Sequence, residues 1–306
     1  MLTNNNSVTL RVPASTANLG PGFDCLGLCL DIWNEVEFEF AGNSLQIEIS
    51  GEGSAELSRD ENNLIFQCFS ELAAINKINI PPGLIIRCHN KIPISSGLGS
   101  SSSAVVAGLM GARVLLNLDV SDSDLIKIGQ TFEGHIDNIS ACLLGGFSIS
   151  GFSDDEVIAR SFHVKEMRVV IAVPNINLST KSARQILPDN VKLSDAVHNI
   201  FQTALLSHAF RDGDISLINK STQDRLHQKH RLRLIPGGQE AIDNALSAGA
   251  FCAFLSGAGP SIIAFTTNGH NHHQIARAMH QAFKKHEITS RILHTRTTNQ
   301  GAFFIK

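Results

Sequence analysis

The sequence predicts an α+β fold, because strand and helix patterns are interspersed without the regular βαβα order of a doubly wound sheet. Alternating apolar residues predict strands at 8–12, 34–40 and 45–49. Helical apolar spacing begins at an Asn cap and covers 62–75, and a further strand pattern covers 83–88. With 306 residues, 43% of them hydrophobic, the chain can form one large domain or two of ordinary size.

The remaining elements follow from the same kinds of pattern. Residues 104–118 are apolar on nearly every side and predict a buried helix, and an SDSD run at 121–124 caps a helix that extends to about Glu133. After a predicted turn and strand at 143–152, the polar residues 153–156 indicate a boundary between domains 1–155 and 156–306. The C-terminal half contains predicted helices at 193–211, 239–247 and 272–285 and predicted strands at 167–173, 250–255, 261–265 and 291–297.

Composition narrows the classes of function. The net charge is -3 and the sequence has no basic run, so a nucleic-acid partner is not expected. The apolar runs are shorter than the roughly 20 residues of a membrane span, and the N-terminal MLTNNNSVTLRV lacks the pattern of a signal peptide; a soluble cytoplasmic protein is expected. The six cysteines form no CxxC pair and are expected to be reduced and buried. The HNHH run at 270–273 favours a solvated loop over a metal site.

Three glycine-rich segments lie at junctions between predicted elements. They are ANLGPGFD at 17–24, SSGLGSSSS at 95–103 and SGAGPS at 256–261. In the second segment, Gly97 and Gly99 permit positive φ and close backbone approach to a ligand. The N-terminus of the helix that follows would attract an anion such as phosphate, and the hydroxyls of Ser100 and Ser101 could ligate Mg²⁺.

The second segment matches neither of the two best-known phosphate loops. The P-loop requires a lysine that does not follow Gly99. The dinucleotide fingerprint GxGxxG fails because Ser102 occupies the position of its last glycine. From this segment alone, a phosphate site and a ligand-free helix start are equally supported.

A polar cluster and two arginines are further candidates for a site. In FEGHIDN, Glu133 could be a metal carboxylate, and Asp137 and Asn138 could orient a hydroxyl or an amine; a solvated turn is the alternative. Arg184 and Arg231 lie beside predicted turns, where a guanidinium could bind a substrate carboxylate through two hydrogen bonds. Taken singly, each arginine is more typical of an ordinary surface position than of a binding site.

Together, these motifs resemble the GHMP kinases. PISSGLGSSSS resembles the ATP loop of that family, and SGAGPS resembles its C-terminal glycine motif. RVPASTANLGPGFDCLGLCLD, FEGHIDN, STKSARQILP and LHQ…R…LIPG resemble the branch that phosphorylates L-homoserine, and the motifs occur in the expected order along nearly the whole chain.

The resemblance implies a fold and a reaction. The fold would be a two-domain GHMP kinase fold, with an N-terminal ribosomal-protein-S5-domain-2-like domain, a C-terminal ferredoxin-like domain and ATP between them. The reaction would be transfer of a phosphoryl group from MgATP to the side-chain hydroxyl of L-homoserine, a step in threonine biosynthesis. The implied partners are small molecules, with no nucleic acid and no membrane, and the family is often dimeric.

The resemblance also implies roles for residues by position. The implied metal ligands are Ser101 and Glu133, with Ser100 nearby. The residues implied to face the amine and the hydroxyl of the substrate are Asn18, Asp24, Asp137 and Asn138. Its carboxylate would be bound by Arg184 and Arg231. The implied catalytic group is Asp137, Glu133 and Asn138. The residues implied around ATP are Pro93, Ile94, Ser95, Ser96, Gly97, Leu98, Gly99, Ser100, Ser101, Ser102, Ser103 and Asn63, with Asn62 as the alternative to Asn63.

The chain departs from the family pattern at a few positions. Ser95, Ser102 and Ser103 replace small residues of the loop, and Ile136 and Ala141 stand where prolines are common. None of these changes removes an implied ligand. Two other functions compete with homoserine phosphorylation: a kinase of the same fold acting on mevalonate-like or sugar substrates, and a nucleotide-binding protein without catalysis.

Overall fold

The computed structural model describes residues 6–267, 269 and 271–305. Its strands are β1 (Ser7–Asn18), β2 (Gly22–Phe40), β3 (Gln46–Gly51), β4 (Leu84–Asn90), β5 (Phe147–Ser153), β6 (Glu156–Phe162), β7 (Arg168–Pro174), β8 (Cys252–Leu255), β9 (Ile262–Thr266), β10 (Ser290–Arg296) and β11 (Phe303–Ile305). Its helices are α1 (Leu64–Ile75), α2 (Ser100–Leu115), α3 (Asp122–Glu133), α4 (Asp137–Leu144), α5 (Thr180–Gln185), α6 (Leu193–Asp212), α7 (Ile215–Ser221), α8 (Gln228–Arg231), α9 (Gly238–Ser247) and α10 (His272–Lys285), with a 3-10 turn at Leu232–Leu234.

The first sheet is built mainly from the N-terminal half of the chain. Its main path runs β11-β1-β2-β4-β3, and β5 joins β2 to β6. All pairings are antiparallel except that of β3 with β4. Helices α1, α2 and α3 pack on this sheet around a core that includes Phe38, Phe69 and Leu109. The long helix α2 is held in this core, which places its N-terminus firmly.

The second sheet belongs to the C-terminal half, and a shared core joins it to the first. Its order is β10-β7-β9-β8, with α9 and α10 packed against one face. The shared core contains Leu28 and Phe147 of the first sheet, Phe265 of the second, and Phe210 of α6. The two sheets with their helices confirm the α+β class.

The predicted domain boundary falls at the tip of a hairpin. Strands β5 and β6 pair across it, with Ser153 opposite Glu156. Both β6 and β11 lie beyond the predicted boundary in the chain but pair within the first sheet. The division into 1–155 and 156–306 stays a prediction.

Some helices differ from the sequence-based prediction. α2 begins at Ser100 and not at 104, because Gly99 adopts φ 70 and starts the helix without a side-chain cap. α1 is capped by Asn63, whose side chain accepts from the amide of Ile65. α4 was not predicted: it is short, and Ile136 at its start provides no side-chain cap.

Two further predictions concern membranes and the histidine run. Within the described residues, no helix has both the length and the apolar character needed to cross a bilayer. His272 and His273 are the first two residues of α10, and their rings lie against that of His294. His270 lies outside the described residues, as do residues 1–5 of the N-terminal segment.

Candidate active site

A cavity of about 510 Å³ gathers most of the predicted site residues. The predicted residues that line it are Asn18, Asp24, Asn63, Ile94, Ser95, Ser96, Gly97, Gly99, Ser100, Ser101, Ser102, Ser103, Glu133, Asp137, Asn138, Arg184 and Arg231. Three predicted residues lie elsewhere. Leu98 is fully buried in the core with Leu19 and Leu26, Pro93 lines a neighbouring cleft, and the exposed Asn62 bonds Asp60.

The three glycine-rich segments contact one another at this cavity. The Ser256 hydroxyl donates to the carbonyl oxygen of Gly97 at 2.8 Å. Asn18 donates from its side-chain amide to the carbonyl oxygen of Gly257 at 2.9 Å. A Cβ added at Gly97 would lie 2.3 Å from the Ser256 carbonyl oxygen, so only glycine permits this approach. The loops therefore brace each other and fix the wall of the cavity.

The N-terminus of α2 opens into the cavity. Gly99, the N-cap, has no side chain with which to bond the first-turn amides, and the Ser103 amide makes the first helical bond back to Gly99. Ser100, Ser101 and Ser102 all line the cavity. Amides at a helix start have no partner within the helix, and the dipole adds partial positive charge there. This end of the cavity is suited to a phosphate group.

The serines after Gly99 have distinct surroundings. Ser101 is exposed, and the hydroxyl of Ser102 donates to Oε2 of Glu133 at 2.6 Å. The hydroxyl of Ser103 accepts from the side-chain amide of Asn34 at 2.9 Å. Ser102 and Ser103, two of the three serines that depart from the family pattern, thus tie the first turn of α2 to neighbouring elements.

Asp137 and Asn138 lie on the first turn of α4 and line the cavity. Asp137 is 2% exposed, and its Oδ1 accepts from His135 Nδ1 and from the Asn138 amide, both at 2.8 Å. No described residue forms a hydrogen bond with the second oxygen, Oδ2. Asn138 accepts from the Ser15 hydroxyl at 2.8 Å, which leaves its side-chain NH₂ for a ligand. These contacts fix Oδ1 of Asp137 and leave Oδ2 available to accept a hydrogen bond or a proton from a ligand.

His135 is a cavity residue that sequence analysis did not assign. Burial disfavours its charged form and is the largest influence, but the hydrogen bond and the charge of Asp137, with the charge of Glu133, outweigh it and raise the pKa of His135. A carboxylate oxygen accepts hydrogen bonds, so the His135 Nδ1–H donates. Its place two residues before Asp137 in FEGHIDN was the available signal.

Arg184 and Asp24 are paired in the structure. The guanidinium donates from both terminal nitrogens to the two carboxylate oxygens at 2.8 Å. Asp24 adopts φ 57, and its amide donates to the Asn18 side chain at 3.0 Å. The family resemblance placed Asp24 and Arg184 at different groups of the substrate, whereas in the structure they are bound to each other.

Arg231 is the buried cation of the site. It is 1% exposed and donates to the carbonyl oxygens of Ala183 and Gly257, both at 3.2 Å. Its guanidinium lies 5.1 Å from the centre of the Phe23 ring. Among the described residues, no carboxylate forms an ion pair with it. Burial, followed by repulsion from Arg184, lowers the pKa of Arg231 to about 10, so it remains charged at neutral pH.

Part of the cavity lining is apolar. This part includes Val36, Ile49, Leu57, Ile65, Cys88 and Ile94. Asn63 lies beside them, with its oxygen occupied by the Ile65 amide and its nitrogen donating to the Ser58 carbonyl at 2.7 Å. Such a surface suits a flat ring that stacks and packs, as a nucleobase does.

The residues present fit a magnesium ion that is shared with phosphate groups. Across the part of the chain that the structure describes, no cluster of three or more His, Cys, Asp or Glu side chains could hold a metal by itself. Mg²⁺ commonly takes one or two protein oxygens and completes its shell with water and substrate phosphates. Glu133 and Ser101 line the same cavity as the anion-attracting end of α2.

Comparisons with known proteins agree with the geometry. A family model described as "GHMP kinases N terminal domain" matches residues 63–146, and "GHMP kinases C terminal" matches 206–285. A homoserine kinase of Caldanaerobacter subterraneus subsp. tengcongensis is 37% identical over 98% of this chain and 96% of its own length. One from Desulfitobacterium hafniense is 38% identical over 97% of this chain and 100% of its own. The crystal structure of homoserine kinase from Cytophaga hutchinsonii is similar with a TM-score of 0.87 and 31% identity, covering 100% of this chain and 99% of that one.

Proposed function

The chain belongs to the GHMP kinase family, and we propose that it transfers the terminal phosphoryl group of ATP to the side-chain hydroxyl of L-homoserine, giving O-phospho-L-homoserine and ADP. The two-domain GHMP kinase fold predicted from the sequence is confirmed by the same matches. The step belongs to threonine biosynthesis. The cytoplasmic location and the homodimer stay predictions.

One observation carries this proposal beyond the likeness to relatives. The buried guanidinium of Arg231, which forms no ion pair within the described residues, lines the same cavity as the N-terminus of α2, where no side chain caps the helix. One cavity can therefore receive two anionic groups of different kinds, a carboxylate and a chain of phosphates. ATP together with an amino-acid acceptor presents this combination, whereas ATP together with a sugar presents no carboxylate.

The first-turn amides of α2 support a role in binding ATP. The phosphates would lie at Ser100 and Ser101, and the base would lie against the apolar side near Ile49 and Ile65. Glu133 and Ser101 would hold Mg²⁺, which when bound offsets the charge of the phosphates. Phosphoryl transfer asks mainly for position and charge stabilisation, which fixed amides provide.

The acceptor would lie between the arginines and α4. Arg231, with Arg184, would bind the α-carboxylate, and Asp24 with Asn18 would take the ammonium group. Asp137 and Asn138 would face the hydroxyl. Because Oδ1 of Asp137 already accepts two hydrogen bonds, Oδ2 is the atom that could receive or orient the hydroxyl proton.

A coupled assay of ADP release tests the function directly. The purified chain is given MgATP with L-homoserine, galactose or mevalonate in separate reactions. We expect ADP release that depends on homoserine, together with O-phosphohomoserine detected by mass spectrometry. Release with another acceptor would support a different kinase of this fold, and no release with any acceptor would support a nucleotide-binding protein without catalysis.

A further inference from the structure

Ser102 makes a short hydrogen bond to one oxygen of Glu133. The hydroxyl of Ser102 donates to Oε2 at 2.6 Å, and Ser102 itself is 1% exposed. The serine lies on the first turn of α2, whereas the glutamate is the last residue of α3. The bond therefore joins two helices across the cavity wall.

Glu133 needs such a partner. A carboxylate at the C-terminal end of a helix faces the negative end of the dipole, and the last turn of α3 has no basic residue. In the described parts of the chain, Glu133 forms no ion pair, and the Ser102 hydroxyl is the one donor to its side chain. A glutamate has several rotatable bonds, so without this contact it would sample many positions.

The direction of the bond decides what the serine can do. A hydroxyl has a single proton, and Ser102 donates it to Glu133. Toward a phosphate group the hydroxyl would then present only lone pairs, which a phosphate oxygen repels. The family resemblance assigned Ser102 to ATP by its place in the loop, but the proton of its hydroxyl is donated to Glu133.

We propose that Ser102 is a positioning residue, which holds Oε2 of Glu133 so that Oε1 is directed to the metal of the MgATP complex. The inference rests on the proposed function of Glu133 as a metal ligand. It also gives a purpose to the serine that replaces a small residue of the family loop. Partners that orient a metal ligand in this way commonly affect metal affinity by roughly 10- to 100-fold when removed.

Metal affinity, and not turnover alone, tests this role. Mn²⁺ is titrated into the full chain with the non-hydrolysable analogue AMP-PNP, and bound metal is followed by electron paramagnetic resonance. We expect Ser102→Ala to weaken Mn²⁺ binding about 10-fold while the affinity for metal-free AMP-PNP stays unchanged. In a Glu133→Gln background, the same substitution should weaken Mn²⁺ binding no further.

A matched control is the Ser140→Ala variant. Ser140 is a fully buried serine on a neighbouring helix, and its hydroxyl has no hydrogen-bond partner within the described chain. The Ser140→Ala variant should bind Mn²⁺ with the same affinity as the wild type. If Ser102→Ala does not fold, Ser102→Cys retains the volume and offers a weaker donor, so a smaller loss of the same sign is expected.

Two results would overturn the proposal. Unchanged Mn²⁺ binding in Ser102→Ala would show that Glu133 is held without the serine. An equal loss of metal-free AMP-PNP would make Ser102 a nucleotide contact. Both outcomes differ from failure of the proposed function, in which the wild type itself releases no ADP with homoserine.

Discussion

Replacing Arg231 with alanine removes the buried cation from the acceptor end of the cavity. The side chain is 1% exposed and forms no ion pair with a carboxylate in the described chain. A bound substrate carboxylate would therefore be the first anionic partner of this guanidinium. The arginine also donates to two backbone carbonyl oxygens, at Ala183 and Gly257. A change in substrate affinity must therefore be separated from a change in folding.

The expected effect follows from burial. Truncating one partner of a buried, hydrogen-bonded charge pair costs about 2–4 kcal/mol of binding. This corresponds to a roughly 30- to 700-fold weaker Kd for homoserine. Arg184 provides the comparison, because its side chain is 35% exposed and already paired with Asp24. Screening by water and competition from Asp24 reduce its expected contribution to about 1 kcal/mol, or roughly fivefold.

The assay compares two ligands that differ only in the carboxylate. Isothermal titration with AMP-PNP present gives the Kd for L-homoserine and for 3-aminopropan-1-ol, which has the same amine and hydroxyl but no carboxylate. Arg231→Ala should lose most of its affinity for homoserine and little for the amino alcohol. The Kd for ATP should not change, and the melting temperature of each variant reports folding.

Equal losses for the two acceptors would refute the assignment of Arg231 to the carboxylate. Equal losses for homoserine and ATP would show a general disturbance of the cavity. A larger effect at Arg184 than at Arg231 would show that the exposed pair, and not the buried cation, determines carboxylate binding.

Three further predictions follow from the same site. Asp137→Asn should lower kcat about 100-fold and alter its pH dependence if Oδ2 takes the hydroxyl proton; a raised KM with an unchanged kcat profile would make Asp137 a binding residue. Because the pKa of His135 is raised on folding, it stabilises the protein fully below its ordinary pKa of about 6.5, and this contribution is lost as pH rises through the raised value. Urea unfolding should therefore show a larger deficit for His135→Gln at pH 5.5 than at pH 9, and an equal deficit would contradict the pairing. Gly99→Ala should lose about 3 kcal/mol of unfolding free energy, because its Cβ would lie 2.1 Å from the Ser15 hydroxyl. Gly134 has a similar φ, and no described atom lies within 4 Å of an added Cβ, so Gly134→Ala should lose about 1 kcal/mol. Similar losses in the two variants would disprove the steric argument.

Much of the fold was predictable from local patterns. The amphipathic helix at 272–285 is confirmed as α10, and the SDSD run does cap α3, where the Ser121 hydroxyl accepts from the Asp124 amide at 3.1 Å. α4 escaped prediction because it has eight residues, begins without a cap and is buried along nearly its whole length. A short helix of this kind is stabilised by packing and has little local signal.

The candidate residues of the site were predictable from the sequence, but their contacts with one another were not. Residue chemistry placed Glu133 and Arg184 among the candidates, the family resemblance added Asp24, and the structure brings all three to one cavity. The bond between Asp24 and Arg184 joins positions 160 residues apart, and that between Ser102 and Glu133 joins positions 31 apart. Their roles in binding and catalysis stay predictions.

The sequence by itself determined the family, the α+β class, most helices and strands, and which residue types carry the chemistry. These properties are local, because periodicity, caps and loop glycines act through neighbours in the chain. Only the tertiary structure decided which of those groups are already paired and which are free, leaving Arg231 without a carboxylate partner within the described residues and giving Ser102 to Glu133. The reason is physical: a hydrogen bond needs two atoms within about 3 Å. For Asp24 and Arg184, which are 160 residues apart, that distance is set by how the two sheets pack around their shared core.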